Sequence, residues 1–198
     1  MEKRRRSELL AEADGPEGYL VDAGEAISDL AYWEASDFHE MLSAMKWATM
    51  GLFSTGLYHL TEQYLVELPL AILRFHQGND LQWKRSVQPN AAIAWFKEEL
   101  GLDVKALPHW PIVNELRLVA NVMKHAEGDS AQQLRQVNPS HFVYPALRAQ
   151  GGRPSPMRLT TPIFGQGIYI TADTFSKFHR ASMSFWMDFA DRLPALSR

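Results

Sequence analysis

Four polar residues, Asn114, Arg117, Asn121 and His125, are the part of this 198-residue sequence whose types and spacing suit chemistry. On a helix turning about 100° per residue they fall within roughly 80° of one another. Ile112, Leu116, Val119 and Met123 fall on nearly the opposite side and read as the face toward a core. An imidazole titrates near neutrality and can give or take a proton. A guanidinium can hold a phosphate through two bonds, and an amide can orient either group. Together they suit phosphodiester chemistry, with Lys124 at the border of the ladder. The competing reading is a solvated helix face whose polar groups do nothing. In that case His125 simply sits near the C-terminal end, where the helix dipole favours its cation.

The stretch Ala120-Asn121-Val122-Met123-Lys124-His125 resembles the motif of the HEPN superfamily of helical RNases and nucleotide-binding proteins. That motif is an arginine, a polar residue, three variable residues and a histidine. Asn121 matches the polar position and His125 the histidine, whereas Ala120 stands where the motif has its arginine. The setting, late in an all-helical array, is also similar, over residues 30 to 135 or so. The resemblance implies a homodimer whose motif residues meet across the interface and cut RNA without metal, in a bacterial toxin or phage-defence system. Other members have lost catalysis and only bind.

Arg117, one turn upstream of Asn121, is the local substitute for the missing arginine. Within one helix it lies roughly 12 Å of rise from His125 and leans toward the N-terminus, so the two do not meet. Two such helices crossing antiparallel near Asn121 would set residue 117 of one opposite residue 125 of the other. In that arrangement of a metal-independent endoribonuclease, His125 is the acid or base for the ribose 2'-hydroxyl and Arg117 holds the phosphate. Asn121 positions them, and Lys124 and Asn114 contact the RNA. The expected partners are a second copy through the face of helix 111–127, RNA, and a protein antitoxin or defence partner. The alternative is a non-catalytic helical dimerisation or interaction module, a subunit or neutraliser in such a system, for which Ala120 is the main argument. A third reading is a small-molecule-binding bundle.

Other clusters point less sharply. His59 with Glu62, and Asp37 with His39 and Glu40, pair imidazole with carboxylate but lack the repeated ligand spacing of bundle metal sites, so no metal and no cofactor is expected. His76, His109, His141 and His179 have no patterned partner and read as structural or solvated. Trp83, Lys84 and Arg85 with Arg135, Arg148, Arg153 and Arg158 read either as a basic rim for single-stranded RNA or as ordinary surface charge. No glycine-rich phosphate loop follows a strand, and no Gly-x-Ser-x-Gly elbow is present.

The elements that must position these groups follow from composition and punctuation. With 46% hydrophobic and 22% charged residues the chain has globular composition. Its longest apolar stretch, 47–73, is interrupted by His59, Glu62, Gln63 and Glu67 and reads as buried helix, so no membrane segment is expected. Zero cysteines exclude disulfides and thiolate sites and fit a cytoplasmic protein. No export signal follows Lys3 to Arg6. A net charge of -3 argues against a general nucleic-acid-coating role.

Residues 1–27 read as a tail or short helix, and 28–198 as one HEPN-like domain. Helical spacing from Ser28 to Phe53, with Ser28 or Asp29 as cap, gives one or two helices. After breaks at Gly51 and Gly56, residues 57–75 continue, kinked at Pro69. A turn at 78–80, a helix at 90–100 closed by Gly101, the helix at 111–127 and helical turns at 130–137 come next. An insertion at about 138–170 holds a loop and a two-stranded hairpin of 157–164 with 167–170. Thr171 caps a last helix, 172–193, with a stripe of Phe175, Phe178, Ser182, Phe185 and Phe189. The expected class is therefore mainly all-α, a bundle of five or six helices with a small C-terminal β-hairpin.

Overall fold

The computed structural model describes residues 23–77, 88–155, 158–162 and 167–193. Those residues form a mainly helical protein with six α-helices: α1 Ala23–Gln77, α2 Pro89–Leu100, α3 Trp110–His125, α4 Asp129–Val137, α5 Pro145–Arg148 and α6 Ala172–Arg192. Short 3-10 turns, Val104–Ala106 and Pro139–Phe142, precede α3 and follow α4. No described helix is long and apolar enough to cross a membrane. The expected turn at 78–80 and the group Trp83, Lys84 and Arg85 lie outside the described residues, as does most of the N-terminal tail.

The chain divides into two compact units, Met1–Ser43 and Ala44–Arg198. Within the first, the described residues are helical; Tyr32 and Trp33 meet edge to face at 5.8 Å, and both are exposed, as is Phe38.

The second unit carries the core. The expected breaks at Gly51 and Gly56 do not occur, and α1 runs through both, and through Pro69, as one helix that begins before Ser28 and Asp29. Gly51 makes room for a neighbouring side chain instead. A Cβ there would lie 2.5 Å from the Cε end of the Met123 side chain, so the glycine leaves the space that this side chain of α3 fills. The hydroxyls of Ser54, Thr55 and Thr61 donate to the carbonyls of Met50, Gly51 and Leu57, so small polar residues are tolerated inside α1.

α2 starts on a proline and ends at Gly101, whose φ of 65° lets its amide donate back to the Phe96 carbonyl. The expected helix 111–127 stops at His125, because Ala126 turns to a φ of 58° with its amide on the Val122 carbonyl. Glu127 thereby leaves the helix and accepts two guanidinium bonds from Arg135 of α4, at 2.5 and 2.8 Å. The α6 boundary matches its signal: Thr171 Oγ1 accepts from the Thr174 amide, and Phe178, Ser182, Phe185 and Phe189 are buried.

The expected hairpin is not found among the described residues: those of 157–170 contain no strand, and residues 157 and 163–166 lie outside the description. Their backbone groups bond elsewhere. The Tyr169 amide donates to the His141 carbonyl at 2.8 Å, its carbonyl accepts from Arg148, and the Leu159 amide donates to Glu127. Residues rich in strand formers are thus held as an irregular strap, with Leu159, Ile168 and Ile170 in the core.

α3 is the central helix. Leu116, Leu118, Val119, Ala120, Val122 and Met123 sit in one cluster with Tyr58 of α1, Leu134 of α4 and Phe178 of α6. Val113 joins a second, with Leu65, Phe96, Leu107, Phe185 and Phe189. The apolar side of α3 is therefore much wider than its Ile112, Leu116, Val119 and Met123 stripe foretells, since Leu118, Ala120 and Val122 are buried too.

Candidate functional site

The polar ladder of α3 is split by its surroundings. Lys124 and His125 are exposed at the C-terminal end, whereas Asn114, Arg117 and Asn121 are half-buried. Arg117 Nε donates to Asn114 Oδ1 at 2.9 Å, one turn toward the N-terminus and away from His125. Arg117 also lies within electrostatic reach of Tyr58 on α1. Burial pushes that phenol up to about 12, Glu62 adds to the rise and Arg117 opposes it. The structure thus brings together Arg117, Asn114 and Tyr58 and leaves His125 apart, as helix geometry requires of a single chain.

Ala120, at the motif's arginine position, is fully buried at 0% exposure. A guanidinium there would have to displace core side chains and lose its water. Lys124 lines a cleft of about 400 Å³ with Leu52, Thr55, Met123, Ala126 and residues Thr160 to Pro162, a mostly apolar wall without His125.

A second constellation, centred on Glu115, goes unnoticed in the sequence reading. This carboxylate is buried on α3 and receives three donors: His141 Nε2 at 2.8 Å and Asn138 Nδ2 at 2.8 Å on Oε1, and Lys177 Nζ at 2.9 Å on Oε2. Burial alone would raise its pKa. The hydrogen bonds from His141, Asn138 and Lys177 overcome that and hold it down at about 2. An ionised carboxylate only accepts, so His141 carries its proton on Nε2. His141 is 1% exposed, and its Nδ1 has no hydrogen-bond partner among the described residues. Asn138 also caps the Pro139–Phe142 turn through Oδ1. The cluster ties α3, the turn after α4, and α6 together, and its sealed imidazole offers no face to a substrate. No spacing rule could have found it, because Glu115 and His141 are 26 residues apart and meet only on folding.

The remaining candidates resolve as local contacts. His59 Nδ1 lies 3.4 Å from Glu62, and His109 Nδ1 lies 2.7 Å from Asp188 of α6. Among the described residues no group of three histidine or acidic side chains is placed to hold a metal ion. His39 and His179 are exposed, and the side chain of His76 lies outside the described residues. Arg135 is engaged by Glu127 and stacks over Phe142 at 4.7 Å, and Arg148 donates to the carbonyls of Val143 and Tyr169. Of the expected basic rim, these two cations therefore work inside the fold, while Arg153 and Arg158 are exposed. Compared with protein-family models, with curated proteins and with solved structures, the chain matches none. The resemblance to HEPN proteins rests on the short motif alone.

Proposed function

We propose that this chain is a non-catalytic helical interaction module, a HEPN-like subunit that acts by association in a bacterial toxin or phage-defence system. The observation that carries the reading is Ala120: the motif's arginine is missing, and its position is fully buried in the core. Arg117, the substitute, is turned to Asn114 and lies beside Tyr58 rather than toward His125. What the surface of the second unit does offer is apolar, with Leu52, Phe53, Leu60 and Tyr64 of α1 each about half exposed.

The test is incubation of the purified protein with labelled single-stranded RNA and with total RNA, with and without EDTA. The expected outcome is intact RNA, the same for wild type and His125→Ala. Cleavage that resists EDTA and disappears in His125→Ala would replace this reading with a metal-independent endoribonuclease using His125, Arg117 and Asn121, with Lys124 and Asn114 on the RNA.

A further inference from the structure

We propose that the partner of this module is a second copy of the chain, paired antiparallel through the outward face of α1 with Gly56 at the two-fold axis. The proposal rests on the association reading above and names its partner. Between Ala44 and Arg74, α1 turns Gly51, Ser54, Tyr58, Thr61 and Leu65 inward. On the opposite side, at helical spacing, Met45, Thr49, Leu52, Gly56 and Leu60 are all exposed, with Leu52 also bordering the cleft beside Met123 and Lys124. The stripe continues to Gln63 and Glu67, and its steps of four, three, four, four, three and four read the same in both directions from Gly56. A two-fold axis there sets Leu52 of each copy in a layer with Leu60 of the other.

Among the described residues Gly56 has no packing partner, because a Cβ placed on it would meet nothing within 4 Å. A glycine in a helix interior weakens the helix, and its benefit is close approach of another backbone. Charge selects the antiparallel direction. Lys46 and Glu67, both exposed, lie ten residues before and eleven after Gly56. Antiparallel pairing brings Lys46 of each copy beside Glu67 of the other, whereas parallel pairing opposes like charges.

Aromatic rings border the stripe. Phe53 and Tyr64, each about half exposed, flank the stripe and meet Phe175 and Trp186 of α6, each ring pair at 6.0 Å. A standard interface buries roughly 800 Å² per partner, so the pairing draws on these flanking rings as well as on the stripe. Because α3 packs on the inner side of α1, this pairing keeps the two α3 helices three helix spacings apart, each about 8–10 Å. Arg117 of one copy and His125 of the other do not meet in it.

Sedimentation equilibrium of the full chain at micromolar concentration tests the proposal. The wild type should have the mass of a dimer, and Leu60→Glu, folded by circular dichroism, should dissociate about a hundredfold more readily. Lys46→Glu should weaken the dimer, and adding Glu67→Lys should restore it, which keeps the test decisive if Leu60→Glu fails to fold. A monomeric wild type overturns the second copy as occupant and leaves the face to a different protein. A dimer indifferent to both sets of variants overturns the face itself. Neither result touches the RNA assay, so failure of the pairing and failure of the non-catalytic reading are separable.

Discussion

Glu115 holds three elements with one carboxylate. It is ionised at about 2 against an ordinary 4.5, because the donors His141, Asn138 and Lys177 outweigh the burial that would raise it. A carboxylate whose pKa is depressed by folding contributes stability that is fully present above its unfolded value and is lost as pH falls toward its folded value. The shift corresponds to roughly 3 kcal/mol at neutral pH, with roughly 2 kcal/mol gone by pH 3. Glu115→Gln should therefore lower unfolding free energy at pH 7 by roughly 3 kcal/mol, since it leaves the His141 and Lys177 donors without their anion. Urea titrations at pH 7 and pH 3 check this: the difference between wild type and variant should shrink at pH 3. Equal stability at pH 7 would mean that the cluster contributes nothing. None of this was legible in the sequence, where Glu115 is one more polar position on an amphipathic helix and His141 a residue in a proline-flanked loop.

At the scale of elements, local signals succeeded where a side chain or a glycine acts on its own helix. Thr171 starts α6 and Gly101 ends α2 because each satisfies backbone groups within one turn. They failed where a distant element decides. Gly51 reads as a break but is the contact point with Met123, and the Thr-, Ile- and Tyr-rich strap reads as a hairpin but spends its backbone groups on His141, Arg148 and Glu127. The two glycines of α1 should consequently respond in opposite ways. Gly51→Leu should cost roughly 1–3 kcal/mol by overpacking against the Met123 side chain. Gly56→Ala, in open space, should raise the stability of dilute protein by about 1 kcal/mol. Thermal melts of the two variants distinguish these roles, and a harmless Gly51→Leu would show that the space beside Met123 does not constrain the packing.

At the scale of the molecule, the described residues are organised as one helix in the middle and one long helix whose outer side they leave exposed. α3 is wrapped by α1, α4 and α6, which explains why the sequence gives its polar ladder correctly as helical yet not its division: Asn114, Arg117 and Asn121 are half covered, and only Lys124 and His125 face water. The fold class was legible because helical periodicity survives any partner. The working face was not, since the same periodicity fits either an inner core or an outer interface. Two pairings thus compete: α3 on α3 near Asn121, which would complete a shared catalytic set, and α1 on α1 at Gly56, which would not. Because the chain has no cysteine, a single introduced thiol reports the choice without background. A disulfide needs Cα atoms about 4.4–6.8 Å apart, so only residues at the two-fold axis should link. On mild oxidation, Gly56→Cys should convert to a covalent dimer on a non-reducing gel while Asn121→Cys stays monomeric; efficient linkage through Asn121→Cys, with none through Gly56→Cys, would contradict association through α1 and restore the shared α3 site.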